Sequence, residues 1–182
     1  MSSRLLFIAV CAGAFISGNT QAQLCNYEST LESTPSSSFT FQYDTNSQIA
    51  SAIHANTGLE WQRCSIGQTW DVNQQTCIGT ANKLNWQAAL QAANSSGGWR
   101  LPNIKELVSI LDVQCTAPPF NNTVFPNTPS AMQRGYWSST PFRMDGPVNG
   151  VGANIKAWYV ETTFGQVFSK DISDPQFVRL VR

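Results

Sequence analysis

Four cysteines, Cys25, Cys64, Cys77 and Cys115, follow an apolar leader, and they narrow the folds open to this chain more than any other feature. The leader carries a single basic residue, Arg4, then an apolar run from Leu5 to Ile16 and a polar stretch ending in Thr20-Gln21-Ala22. This is the pattern of a secretory signal peptide cleaved after Ala22. The run falls short of the roughly 18 residues that a membrane span needs, and no second one follows. Cys11 sits behind Val10, where a lipoprotein signal requires a small residue, so no lipid anchor is expected. An even number of cysteines in an exported chain implies two disulfides, for which three pairings exist. Cys64 and Cys77 flank a short polar loop and form the natural local pair. Cys25 with Cys115 would then tie an N-terminal arm to the body. No C-x-x-C occurs and His54 is the only histidine, so a thiolate metal site is not expected.

Three segments follow: a signal peptide at 1–22, a Ser/Thr-rich arm at 23–45 held by its disulfide, and one domain at 46–182. Loss of Arg4 from eleven basic residues leaves ten against eleven acidic ones, a balance that disfavours nucleic acid, which draws on a dense basic face. Charged residues make up 12% of the chain, about half the usual share of roughly 25%. The polar surface must therefore rest on Asn, Gln, Ser and Thr, which suit neutral hydrogen-bonding ligands.

The stretch "TGLEWQRC" alternates Leu59 and Trp61 with Glu60 and Gln62, as a strand does. In "LNWQAALQAAN", Asn85 can cap a helix whose apolar face is Trp86, Ala89, Leu90 and Ala93. A second helix follows "WRLP". Asn103 and Glu106 have capping-box spacing, Pro102 shapes the entry, and Ile104, Leu107, Val108 and Leu111 form the stripe. Arg100 lies between Trp99 and Leu101; if it is buried under a sheet it needs a carbonyl or carboxylate partner. The last third, "GYWSST", "KAWYVETTFGQVFSK" and "FVRLVR", is aromatic and β-branched, with Gly165 at a hairpin turn. Two early helices and several later strands predict an α+β domain on a small antiparallel sheet.

In order along the chain, "TGLEWQRC", "NWQAALQAAN", "WRLPNIKEL", "TVFPNTPS", "YWSST", "AWYV", "FG" and the closing "VRLVR" resemble the bacterial DUF1566, or Lcl C-terminal domain, family. The resemblance implies a C-type-lectin-like fold, related to the formylglycine-generating-enzyme branch, with two helices on a small twisted sheet and a long ligand-side loop, here Pro141 to Lys156. It also implies binding of a glycan or surface receptor, as in adhesion. Many members carry an acidic "DGTVTD" segment before "TGL"; this chain has "SQIASAIHA" there. If relatives hold calcium with that segment, this chain does not.

No catalytic set stands out. A nucleophile would need His54 as its base, and that histidine lies among small and apolar residues before a turn, where a structural role fits better. The domain is read as non-enzymatic and without cofactor. Sugar sites combine aromatic faces with amides, hydroxyls and some charges, and the residues available for this are Trp137, Arg143, Asp145, Asn149, Asn154, Lys156 and Trp158. Trp137 and Trp158 suit a strand core better, which makes the loop residues the better candidates. From Arg134 onward six basic residues face four acidic ones, compatible with an anionic or sulfated polysaccharide. Asp145, Asn149, Asn154 and Glu161 carry oxygens that could take calcium, but without the spacing of a known loop. A contrasting role is a structural module of an envelope or pilus complex. It would present an exposed apolar patch, possible self-association included, where a lectin presents an aromatic-lined polar groove.

Overall fold

A computed structural model describes residues 23–26, 33–44, 49–142 and 155–182. The leader at 1–22 and four expected ligand residues, Arg143, Asp145, Asn149 and Asn154, lie outside these segments. The first strands are β1 (Leu24–Cys25), β2 (Phe39–Asp44), β3 (Ile49–His54), β4 (Glu60–Gln62), β5 (Thr69–Asp71), β6 (Thr76–Ile78) and β7 (Lys83–Leu84). Helices α1 (Trp86–Asn94) and α2 (Ile104–Val108) follow. After them come β8 (Cys115–Thr116), β9 (Gly135–Phe142), β10 (Lys156–Glu161), β11 (Val167–Asp171) and β12 (Gln176–Phe177). The domain is α+β, as expected, with both expected disulfides, Cys25–Cys115 and Cys64–Cys77.

The main sheet runs β11-β10-β9-β12-β7, antiparallel except where β12 lies parallel to β9. A smaller sheet, β2-β3-β4, packs beside it. Strand alternation splits the core into two clusters. Tyr136, Val160 and Phe177 join Leu107 of α2 and Trp61 of β4 on one side. Trp137, Ala157 and Tyr159 join Ala89 and Ala93 of α1 on the other. At Gly135 a Cβ would lie 1.9 Å from the Val160 carbonyl oxygen, so the β9–β10 contact requires glycine.

Both helices begin as the sequence dictates. Asn85 accepts from Ala88 N–H at 2.8 Å, and Asn103 and Glu106 form a reciprocal capping box. The second helix stops at Val108, which is exposed, while Leu111 reaches the core from beyond the helix end. Four further expectations change. The polar loop between Cys64 and Cys77 contains the β5–β6 hairpin. The arm is packed as well as tethered, since β2 pairs β3 along its whole length and buried Thr34 accepts from Asn121 Nδ2. "FVRLVR" forms strand pairing only at Phe177 and Val181, yet Val178, Arg179, Leu180 and Val181 are all buried.

The fourth concerns Arg100. Its side chain is 47% exposed and makes a bidentate pair with Glu106, 2.7 Å on each branch. Alternation turns Trp99 and Leu101 inward and sends Arg100 out. The buried arginine is Arg179, whose guanidinium donates to the carbonyls of Gln62 and Arg63 and to Thr128 Oγ1 and Tyr136 Oη. A matching ion pair joins Arg182 to Glu60 at 2.8 Å. The arginines hold the carboxyl groups of Glu106 and Glu60 below their ordinary range, chiefly by hydrogen bonding. A depressed folded-state value adds stability above the unfolded value, about 4.3 for Glu, and that stability disappears as pH falls through the folded value. Thermal stability should therefore drop below about pH 4, and a Glu60→Gln, Glu106→Gln double variant should show a flatter acid limb. Glu106→Ala also removes half of the capping box and should lose about 1–2 kcal/mol in urea titrations.

Candidate functional site

Of the expected ligand residues that are described, Trp137 is displaced from that role. It is fully buried, and its indole N–H donates to the Leu84 carbonyl at 2.9 Å, so both ring faces are core. Lys156 and Trp158 alternate with Ala157 and Tyr159 on β10 and point to the opposite face. Trp158 stands edge-on to Phe142, 5.0 Å between centroids. The expected ligand residues are not brought together among the described residues.

A different group converges on the outer end of the main sheet. Helix α1 is short and covers the β7 and β9 side. The row of aromatics that crosses the sheet therefore starts under the helix and ends beyond it. Trp137 meets Tyr159 edge-on at 6.1 Å, and Tyr159 meets Phe168 of β11 at 6.2 Å, tilted by 37°. Pairing fixes this row, because Tyr159 stands opposite Trp137 on one side and Phe168 on the other. The β10–β11 turn, with Gly165 at φ 72°, sets Phe164 alongside. The 132–133 segment supplies the facing wall, where Gln133 holds φ 59°, unusual for a residue with a side chain.

The result is a groove of about 410 Å³ lined by Met132, Gln133, Tyr159, Glu161, Phe164, Gln166, Phe168, Ser169 and Lys170. Its rim is accessible: Met132 is 74% exposed, Phe164 58% and Phe168 44%. Its floor includes Glu161, only 4% exposed. Glu161 Oε2 accepts from Phe164 N–H at 2.8 Å and so braces the turn, while Oε1 has no partner among the described residues. Lys170 Nζ donates to the Gln133 carbonyl at 3.0 Å and lies 4.0 Å from Asp174, near the Tyr159 ring. Burial, reinforced by the Glu161 charge, pushes the Tyr159 phenol above its ordinary range. An aromatic floor with amides, a hydroxyl and one charge of each sign can stack on a ring and satisfy its substituents.

The histidine lies elsewhere. His54 is buried, stacked on Phe39 at 4.6 Å, with Thr57 Oγ1 3.2 Å from Nδ1. Burial lowers its pKa, which favours a neutral ring pinning β2 to β3. No group of three or more His, Cys, Asp or Glu side chains fit to hold a metal ion occurs among the described residues. No helix among them is long and apolar enough to cross a membrane.

Tyr159, Phe164 and Phe168 did not stand out in the sequence, because "KAWYVETTFGQVFSK" reads as a plain hairpin. The turn at Gly165 does carry the signal. Folding the strands about it sets buried Tyr159 opposite Phe168, which remains exposed on the sheet's edge strand. No curated protein and no solved structure matches the chain. The family model of the Lcl C-terminal domain matches residues 50–182, beginning within β3 and running through every element that builds the groove. The chain belongs to the Lcl C-terminal domain family.

Proposed function

We propose that the protein is an exported, non-catalytic binding domain of C-type-lectin-like architecture that recognises a glycan through the β10–β11 groove. Two disulfides fit an oxidising compartment. The observation that carries the reading is the accessible pair of rings, Phe164 and Phe168, over the buried Tyr159, beside Gln133, Gln166, Ser169 and two charges. Sugar rings present C–H faces to aromatics and hydroxyls to amides, so this lining suits them. A glycan array should give saccharide hits, and Phe164→Ala and Phe168→Ala should each weaken them at least tenfold without altering the fold. An array free of hits, or hits indifferent to both substitutions, would sink the glycan reading.

A second reading rests on β11 itself. Among the described residues β11 has one neighbouring strand, and Val167 and Phe168 are both exposed on its two faces. An open edge with apolar side chains can accept a strand from another protein, as an envelope or pilus assembly module would. Here Val167→Lys should abolish complex formation while leaving any saccharide binding intact.

A further inference from the structure

We infer that the glycan entering the β10–β11 groove carries an unacetylated amino sugar, whose ammonium group sits against Glu161 while its ring lies on the exposed Phe168. This rests on the glycan reading above and adds the chemical class.

Glu161 is the unexplained group in the groove. A carboxyl oxygen that is buried and unpartnered is unfavourable, because its lost hydration is not replaced. One oxygen already holds the turn through Phe164 N–H. The other, Oε1, has no donor among the described residues, although Lys170 lines the same groove. That lysine is committed elsewhere, to the Gln133 carbonyl and to Asp174, so the groove's own cation does not neutralise its own anion.

The surroundings define the missing donor. Tyr159, Phe164 and Phe168 line the same groove as Glu161, with Tyr159 and Phe168 6.2 Å apart between centroids. Aromatic rings attract cations through their quadrupole, by about 0.5–1 kcal/mol at exposed sites and more when water is excluded. A carboxylate in an aromatic-lined groove favours an ammonium group over a neutral amide or an anion. The groove must also seat something larger than an ammonium ion, since its volume is about 410 Å³ and amide and hydroxyl groups of Gln133, Gln166 and Ser169 line it. An amino sugar supplies both parts: the ammonium for Glu161, and a ring with hydroxyls for the aromatics and polar side chains. A sulfated sugar would meet Glu161 as a like charge and be disfavoured here.

The experiment compares a glucosamine tetrasaccharide with its N-acetylated counterpart and with trilysine, by calorimetry in mildly acidic buffer where the amines are protonated. The glucosamine oligomer should bind at least tenfold tighter than either. Glu161→Gln keeps the acceptor for Phe164 and should erase the preference. Should that variant not fold, Lys170→Met gives an independent test: it removes from the groove a charge of the same sign as the incoming ammonium and should tighten glucosamine binding. Equal binding of the two tetrasaccharides, or a preference that survives Glu161→Gln, would overturn the inference while leaving the glycan reading intact if Phe168→Ala weakens both. Trilysine binding as tightly as the amino sugar would overturn it by assigning the groove to ammonium groups alone. Failure of both sugars overturns it as well, and the array then decides the glycan reading separately.

Discussion

Arg179→Met is expected to destabilise the domain by about 3–5 kcal/mol, the range for breaking a buried charged network, and Arg179→Lys by only somewhat less. Arg179 is wholly buried and has no carboxylate partner among the described residues. Its charge is balanced by dipoles: the carbonyls of Gln62 and Arg63, the hydroxyls of Thr128 and Tyr136, and the rings of Phe125 and Tyr136 at 4.6 and 5.0 Å. Burial lowers its pKa from the ordinary arginine value. Methionine fills the stem's space but removes the guanidinium donors from four acceptors, of which Tyr136 Oη keeps Ser65 Oγ as a partner, and each buried group left unsatisfied costs about 1–3 kcal/mol. Lysine keeps the charge, but its compact ammonium cannot serve acceptors spread over two carbonyls and two hydroxyls as the planar fork does. Chemical denaturation of the three proteins checks this. A lysine variant as stable as the parent would show that charge, and not fork geometry, is what the site requires.

Removal of the Cys25–Cys115 bridge should be the second large effect. The two cysteines are 90 residues apart, and in the chain-entropy view a loop near that length stabilises by between 4 and 5 kcal/mol, against about 3 for a short loop such as the 13-residue one closed by Cys64–Cys77. A Cys25→Ser, Cys115→Ser variant should melt roughly 10 °C or more below the parent, and Cys64→Ser, Cys77→Ser should melt less far below it. The larger effect also has a packing side. β1 pairs β8 at these two cysteines, and Gln23 donates to the carbonyls of Pro118 and Phe120, so freeing Cys25 loosens a short strand as well. Dithiothreitol on the parent should reproduce the sum, and an unchanged midpoint would contradict both bridges as stabilising elements.

The helix starts were legible because their determinants are local: Asn85 and Asn103 cap within three residues of themselves, and Glu106 closes its box at fixed spacing. The cysteine pairing was legible because a short loop isolates one pair and leaves the other. Arg100 misled because an arginine between Trp99 and Leu101 looks enclosed, whereas on an extended chain neighbours of inward residues point outward. Arg179 could not be singled out, since nothing local distinguishes it from Arg182 three residues later; one is buried and the other pairs with Glu60. The groove was half legible. Its strands and turn were read correctly, but whether Phe168 is covered depends on how far α1 reaches, and helix reach is not a property of the hairpin's own residues.

The buried segment 178–181 has a consequence for the order of folding. It hydrogen-bonds to β4 on one side, through Gln62 N–H to the Leu180 carbonyl, and to Arg100 on the other through Val181. Its guanidinium at 179 reaches residues 116 and 117 positions earlier. Stretches around residues 62, 100 and 180 must therefore meet before either half of the core is sealed, and contacts of such separation form slowly. The two sheets should thus melt together, with no separately surviving half. A polypeptide whose core stays open until residue 179 has been delivered should remain open to proteases for longer than one whose core closes from its early residues.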